Sequence, residues 1–181
     1  MHVAASADLI DDREYAAPPE LVFEVWTKSE HLARWFGPDN VEVELCEVDA
    51  RPGGVIRLQH RFPRGPLVSI RGVFDEVVPP KRLSFTFTFV DSNDRPTVNA
   101  MMPEWPAGAH IVMTVELFPT ARGTRMTVAQ RVAEPELTDS PAIVRHKKLA
   151  AIGWNQTAAR LVAYLEEQLG TDLERRTPWD S

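Results

Sequence analysis

The stretch APPELVFEVWTKSEHLARWFGP, residues 17–38, predicts two short helices in close succession. A proline in the first turn of a helix forfeits no hydrogen bond, so Pro18 and Pro19 favour a helix that begins here. We expect this helix to cover about residues 19–26. A polar corner with the sequence TKS then separates it from a second stretch that contains apolar residues.

The second helix of this stretch is predicted over about residues 28–36. Thr27 and Glu30 have the spacing of a capping box, in which two side chains bind free backbone N–H groups at the start of a helix. Gly37 and Pro38 predict the end of the helix, because glycine tolerates a left-handed cap and proline cannot continue the helix.

Downstream of the helices, apolar and polar residues alternate as they do in β-strands. The clearest case is LSFTFTF, residues 83–89, which places four apolar side chains on one face and three hydroxyl side chains on the other. Consecutive strands separated by turn signals favour an antiparallel sheet that is wetted on one face. The predicted strands are residues 8–15, 41–45, 55–62, 67–78, 83–89, 110–118 and 124–131.

The C-terminal part of the sequence predicts one long amphipathic helix. Ser140 suits the N-cap and Pro141 the first helical position. Apolar residues then recur at spacings of three or four between Ala150 and Leu169, which gives one continuous apolar stripe. We expect Gly170 to end this helix.

The order of the predicted elements indicates an α+β fold. A strand, two short helices, six further strands and the long helix follow one another along the chain. A sheet with one apolar face and a helix with one apolar stripe can bury each other's apolar surface. We therefore expect a single domain over residues 8–169, with residues 1–7 and 170–181 as terminal extensions.

Four segments, taken in their order, resemble the START-like helix-grip (SRPBCC) superfamily, and within it the domain related to the activator of the heat-shock-protein ATPase. They are residues 17–38, the RPGG turn at 51–54, RGVFDEVVPPKRLSFTF at 71–87 and GWNQT at 153–157. The resemblance implies a curved antiparallel sheet of about seven strands wrapped around the long C-terminal helix. It also implies a cavity between the sheet and that helix, with the two short helices as one lip.

The superfamily includes lipid carriers, hormone receptors and polyketide cyclases, so the resemblance implies several functions. We favour non-catalytic binding of a small hydrophobic or amphipathic ligand in the cavity. One alternative is a protein-partner role like that of the chaperone ATPase activator, although the eukaryotic activators use a separate N-terminal domain that we do not expect in this chain. The other is a cyclase or hydrolase in which His60 or His146 acts as acid or base.

Ten residues are the candidate ligand-binding residues. Most are apolar side chains on the inward face of a strand or at the lip, where plain core packing is the alternative interpretation. The two histidines fall on inward-facing patterns, where a neutral imidazole could bind the polar end of a ligand, or could be satisfied by the backbone or by solvent. Gly153 would permit the close approach of a strand, a ligand or a lid. The candidates are Trp35, Phe36, Leu58, His60, Phe62, Phe85, Phe87, Met113, His146 and Gly153.

The loop at residues 91–108 is longer than a hairpin needs. It contains Met101, Met102 and Trp105 among prolines and polar residues. Three interpretations stay open: a lid over the mouth of the cavity, a contact between the two chains of a homodimer, and a disordered insertion.

Composition and the remaining motifs exclude several classes of function. The net charge of -6 argues against nucleic acid as a partner. A single cysteine, Cys46, fits a reducing cytoplasm, and neither a signal peptide nor a membrane span is expected. The five histidines lack the spacing of a metal site, and no phosphate loop or GxSxG motif is present, so we expect no metal, cofactor or nucleophilic catalysis.

Overall fold

The computed structural model of the protein describes residues 8–176 and contains seven strands and three α-helices in that part of the chain. A short 3-10 turn, Pro135–Leu137, precedes the last helix. The elements are β1 (Asp8–Tyr15), α1 (Pro19–Thr27), α2 (Ser29–Trp35), β2 (Glu42–Val48), β3 (Val55–Arg61), β4 (Leu67–Val78), β5 (Arg82–Phe89), β6 (Ile111–Thr120), β7 (Gly123–Val132) and α3 (Pro141–Arg176).

The seven strands form one curved antiparallel sheet with the order β1-β7-β6-β5-β4-β3-β2. Strands β2 to β7 pair in sequence order, and β1 pairs with β7. The two short helices therefore connect the two edge strands, β1 and β2. The predicted α+β helix-grip fold is confirmed, with every predicted strand within three residues of its observed bounds.

The capping box predicted for the second helix is wrong. Thr27 belongs to the end of α1, and its hydroxyl donates to the backbone carbonyl oxygen of Phe23 at 2.9 Å. Lys28 precedes α2 with an extended backbone, and no side chain caps the helix. The Ser29 hydroxyl instead accepts a hydrogen bond from the backbone N–H of Val48 at 2.9 Å, which ties α2 to β2.

The long helix α3 begins as predicted and ends later than predicted. The hydroxyl of Ser140 accepts a weak hydrogen bond from the backbone N–H of Ile143 at 3.4 Å. Gly170 lies inside the helix and does not have the positive φ of a left-handed cap. A glycine costs a helix only about 1 kcal/mol, so α3 continues through it to Arg176. Its 36 residues correspond to roughly 54 Å.

The core fills the space between the sheet, α1, α2 and the buried stripe of α3. The most extensive contacts of α3 are with β1 and α2. Trp154 of α3 stacks on Trp26 of α1 with ring centroids 6.0 Å apart, and Ala158, Leu161 and Leu165 continue the buried stripe. Within residues 8–176, no helix combines the length and apolar character that crossing a membrane requires.

Candidate functional site

An apolar pocket of about 400 Å³ lies between the sheet, the first half of α3 and the loop at residues 91–108. Strands β3 to β7 each contribute at least one side chain to its wall, and Phe36 and Pro38 contribute the edge that follows α2. Pockets that hold small molecules have volumes of roughly 300 to 1,000 Å³, so this one is large enough for a ligand of modest size.

Nine of the ten candidate residues lie on the wall of this pocket. They come from the end of α2, from three strands or their ends, and from α3, so residues far apart in sequence meet at one surface. Their role in ligand binding stays a prediction. The nine are Phe36, Leu58, His60, Phe62, Phe85, Phe87, Met113, His146 and Gly153.

Trp35 is the exception, because it does not reach the pocket. Its side chain is fully buried, and its indole N–H donates to the backbone carbonyl oxygen of Val25 at 3.0 Å. Its ring lies 4.8 Å from that of Trp26 and 5.5 Å from that of Phe36. Plain core packing, the alternative interpretation given for the residues at the lip, agrees with this position. Trp35 supports Phe36, which does line the pocket.

Several lining residues were not among the candidates. Val68 and Ile70 alternate on β4, so the strand pattern could have identified them. Gln130 continues the inward pattern of Met126 and Val128 on β7, and a polar residue at an inward position could have marked it as a candidate.

Among the other lining residues outside the candidate set, Phe89 continues the inward alternation of β5 and Ala150 belongs to the apolar stripe of α3, so periodicity pointed to both. The rest lie on irregular backbone or beside the main stripe of α3, where periodicity gives no guidance. These other lining residues are Pro38, Phe89, Asn99, Met101, Met102, Leu149, Ala150 and Ile152.

The loop at residues 91–108 packs against one end of the pocket. Met102 and Trp105 are buried, and Met101 is exposed at the mouth. The Trp105 ring lies 4.7 Å from that of His146, and Glu104 pairs with Arg145 of α3 at 2.5 Å. This packing contradicts the interpretation of the loop as a disordered insertion, and it supports the interpretation as a lid.

The two candidate histidines are mostly buried and electrically neutral near pH 7. Burial lowers the pKa of His146 to about 4. Burial also lowers the pKa of His60 to about 4, with a further contribution from the Arg160 guanidinium and a partial offset from the Phe36 backbone. Within the described part of the chain, Nε2 of each imidazole is buried without a hydrogen-bond partner.

Gly153 leaves open space on the pocket side of α3. A Cβ placed on this residue would meet no neighbouring atom within 4 Å. Close approach of a strand or of a lid, two of the three predicted reasons for this glycine, is therefore wrong. The remaining reason, room for a ligand, agrees with its position on the pocket wall.

The backbone after α2, which follows Phe36 at the edge of the pocket, is clamped by Arg160 of α3. The guanidinium donates to the carbonyl oxygens of Gly37 and Pro38, each at 2.9 Å, and of Arg34 at 3.2 Å. Sequence patterns gave no sign of this contact, because it joins residues more than 120 positions apart.

We expect Arg160→Ala to lower the free energy of unfolding by about 1 to 3 kcal/mol, because three carbonyl oxygens lose a charged donor. Urea unfolding monitored by circular dichroism measures this change. Arg34→Ala is the matched control: its exposed side chain meets Glu167 at 3.5 Å and lies over the Tyr164 ring at 5.6 Å, so the expected change is about 1 kcal/mol or less. Equal losses in the two variants would contradict the clamp.

The polar groups on the pocket wall are few and uncharged. Among the lining side chains only His60, Asn99, Gln130 and His146 carry hydrogen-bonding groups, and no carboxylate, hydroxyl or thiol is present there. Cys46 lies elsewhere, and burial raises the pKa of its thiol to about 11. Between residues 8 and 176, no group of three His, Cys, Asp or Glu side chains is placed to hold a metal ion.

Known structures share this architecture. A protein from Nitrosomonas europaea is 31% identical to this chain, covers 88% of it and 94% of its own length, and superposes with a TM-score of 0.67. The AHSA1 protein from Silicibacter pomeroyi is 23% identical, with a TM-score of 0.65 over 87% of this chain and 96% of its own, which shows the fold alone. A comparison with curated proteins finds no match.

The sequence pattern of one protein family matches most of the chain. The match covers residues 16–166, which include all three α-helices in part or whole and the six strands β2 to β7. The family is described as Activator of Hsp90 ATPase homolog 1-like protein. With the helix-grip fold and the relative from Nitrosomonas europaea in agreement, the chain belongs to the family of Activator of Hsp90 ATPase homolog 1-like proteins.

Proposed function

We propose that the protein binds a small, predominantly apolar molecule in the pocket between the sheet and α3. The observation that carries this proposal is the pocket itself: about 400 Å³ with a wall made almost entirely of aliphatic, aromatic and methionine side chains. Transfer of apolar surface from water into such a site is favourable by roughly 25 cal/mol per Å².

The mouth of the pocket also supports entry of an apolar molecule. Three of its lining side chains are apolar yet exposed: Met101 at 47%, Leu149 at 45% and Ile152 at 62%. Two of them lie on α3 and one on the loop, on either side of the opening. Exposed apolar groups gathered at a pocket are typical of ligand-binding grooves.

A catalytic role in the same pocket has less support. A histidine with a pKa of about 4 is a weak base near pH 7, and this applies to both His60 and His146. No side chain on the wall is a suitable nucleophile, and no carboxylate lies there to orient an imidazole. These features favour binding without turnover.

Titration with N-phenyl-1-naphthylamine, an uncharged fluorescent probe, tests the proposal. Gly153 and Gly170 form a matched pair, because both are helical and neither has an atom within 4 Å of an added Cβ, but only Gly153 lines the pocket. We expect Gly153→Leu to fill the pocket and weaken probe binding at least about tenfold, by loss of buried apolar contact. Gly170→Leu is expected to bind like the wild type. Equal affinities in both variants, or no binding by the wild type, would contradict the proposal.

A protein-partner role is the second candidate, and the family match over residues 16–166 is the observation that favours it. In this role the domain would change the ATPase rate of an Hsp90-type chaperone. Steady-state ATP hydrolysis by a bacterial chaperone of this type, with and without a saturating amount of the protein, tests the idea. An unchanged rate would remove this candidate and leave ligand binding unaffected.

A further inference from the structure

We propose that the ligand is an uncharged, elongated molecule with a hydrogen-bonding group near each end, one bound by His60 and the other by His146. This inference rests on the proposed ligand-binding function of the pocket. It adds the chemical class of the ligand and assigns a separate role to each of two histidines on its wall.

The neighbours of the two imidazoles indicate that they lie toward different ends of the pocket. The His60 ring lies 6.1 Å from that of Phe36, which in turn lies 6.2 Å from Trp154 of α3. His146 is eight residues before Trp154 on the same helix, which corresponds to about 12 Å along its axis. It lies beside Trp105 of the loop. Between these ends the wall is mainly apolar.

Each imidazole has one nitrogen, Nε2, that is buried without a protein partner. Both residues line the pocket, where they are two of only four side chains with hydrogen-bonding groups among the described lining residues. Each neutral ring offers one N–H donor and one acceptor nitrogen, which suits a hydroxyl or a carbonyl group.

The end at His146 has a further donor. Asn99 lines the pocket, is buried, and lies in the same loop as Trp105. Its side-chain oxygen accepts the backbone N–H of Met101 at 2.9 Å, which directs the amide NH₂ group to other partners. A ligand hydroxyl or carbonyl at this end can therefore bind both an imidazole and an amide.

The wall disfavours a charged ligand. Among the residues that the structure describes, no Lys, Arg, Asp or Glu side chain lines the pocket, and a buried charge without a partner is strongly unfavourable. Arg160 is the cation that acts on His60, but its guanidinium is already bound to three backbone carbonyl oxygens. Burial holds both imidazoles neutral near pH 7, so neither supplies a countercharge.

Calorimetric titration at pH 7.5 with naphthalene, 2-naphthol, 2,6-dihydroxynaphthalene and naphthalene-2,6-dicarboxylate tests the inference. Each hydroxyl that gains a histidine partner is expected to tighten binding about fivefold, as one net hydrogen bond does. The dicarboxylate is expected to bind at least about tenfold more weakly than the diol, because its charges lose hydration without compensation.

Variants assign the two ends of the ligand. His60→Phe and His146→Phe remove the ring nitrogens and keep an aromatic ring, so in each variant the preference for the diol over naphthalene is expected to fall about fivefold relative to the wild type. His110→Phe is the matched control, because this exposed histidine lies outside the pocket, and it is expected to bind all four compounds as the wild type does.

The outcomes separate this inference from the proposed function. Wild-type protein that binds naphthalene as tightly as the diol, or a diol preference that survives in both pocket variants, would overturn the inference and leave apolar binding intact. Tightest binding of the dicarboxylate would overturn the requirement for an uncharged ligand. Failure of naphthalene and the diol alike to bind the wild type would overturn the proposed function, and the inference with it.

Discussion

Replacement of Trp35 by alanine is expected to lower the free energy of unfolding by about 3 to 5 kcal/mol, as large-to-small changes of buried aromatic residues do. The side chain is fully buried, and its removal leaves a cavity between Trp26 and Phe36. The hydrogen bond to the carbonyl oxygen of Val25 is lost as well. Urea or thermal unfolding monitored by circular dichroism measures the change. A loss below about 1 kcal/mol would show that this corner of the core relaxes without cost.

Trp35→Phe distinguishes the packing role from a role in the pocket wall. This variant keeps an aromatic ring and loses the indole donor, so we expect a smaller destabilisation of about 1 to 2 kcal/mol. Because Trp35 does not line the pocket, affinity for N-phenyl-1-naphthylamine should match that of the wild type. Phe36→Ala is the complementary variant and is expected to weaken probe binding. Loss of binding in Trp35→Phe with full retention in Phe36→Ala would reverse the assignment.

Acidification from pH 7 to 4.5 is expected to destabilise the fold through His60 and His146. Both side chains have a pKa of about 4 in the folded protein, against an ordinary value of 6.5 in the unfolded chain. Between these values the unfolded chain binds more protons, so stability is fully present above pH 6.5 and is lost as the pH falls toward 4. Each histidine is expected to cost about 2 kcal/mol by pH 4.5.

The measurement is the free energy of urea unfolding at half-unit steps of pH. The window ends at pH 4.5 because several carboxylates with lowered pKa values, among them Glu24 and Glu134, contribute below it. The double variant His60→Phe, His146→Phe should lose most of the dependence on pH in this window. His110→Phe, which removes an exposed histidine paired with Glu134, is the comparison variant and should keep the loss of stability that His60 and His146 cause in this window. Parallel profiles for wild type and double variant would contradict the buried, neutral state of these side chains.

The strands and the long helix could be predicted because their signal is periodic and local. Alternation placed all seven strands, and the stripe of α3 identified the surface that packs on the sheet. The errors in the helices lie at their ends, because single residues determine where a helix starts and stops. Thr27 bonds back into α1, and Gly170 continues a helix whose total length outweighs the cost of one glycine.

The candidate site could be predicted only in part. Residues on periodic strands, such as Leu58 and Phe87, were assigned to the inward face from alternation alone. Asn99 and Met102 lie on irregular backbone, so no pattern placed them. Trp35 and Phe36 are adjacent aromatic residues with different roles, and only the three-dimensional packing separates the one that is buried from the one that faces open space.

Helix α3 has one group of side chains in the core and another on the pocket wall, and this separation bears on how the sequence of such a protein can diversify. Trp154, Ala158, Leu161 and Leu165 anchor the helix in the core, whereas His146, Leu149 and Gly153 face the pocket. Side chains of the second group can be exchanged without disturbing the anchor. Under the proposed ligand-binding function, one scaffold would therefore acquire new ligand preferences through a few substitutions in two turns of helix. Libraries randomised only at those positions would retain folded members while sampling different chemical selectivities.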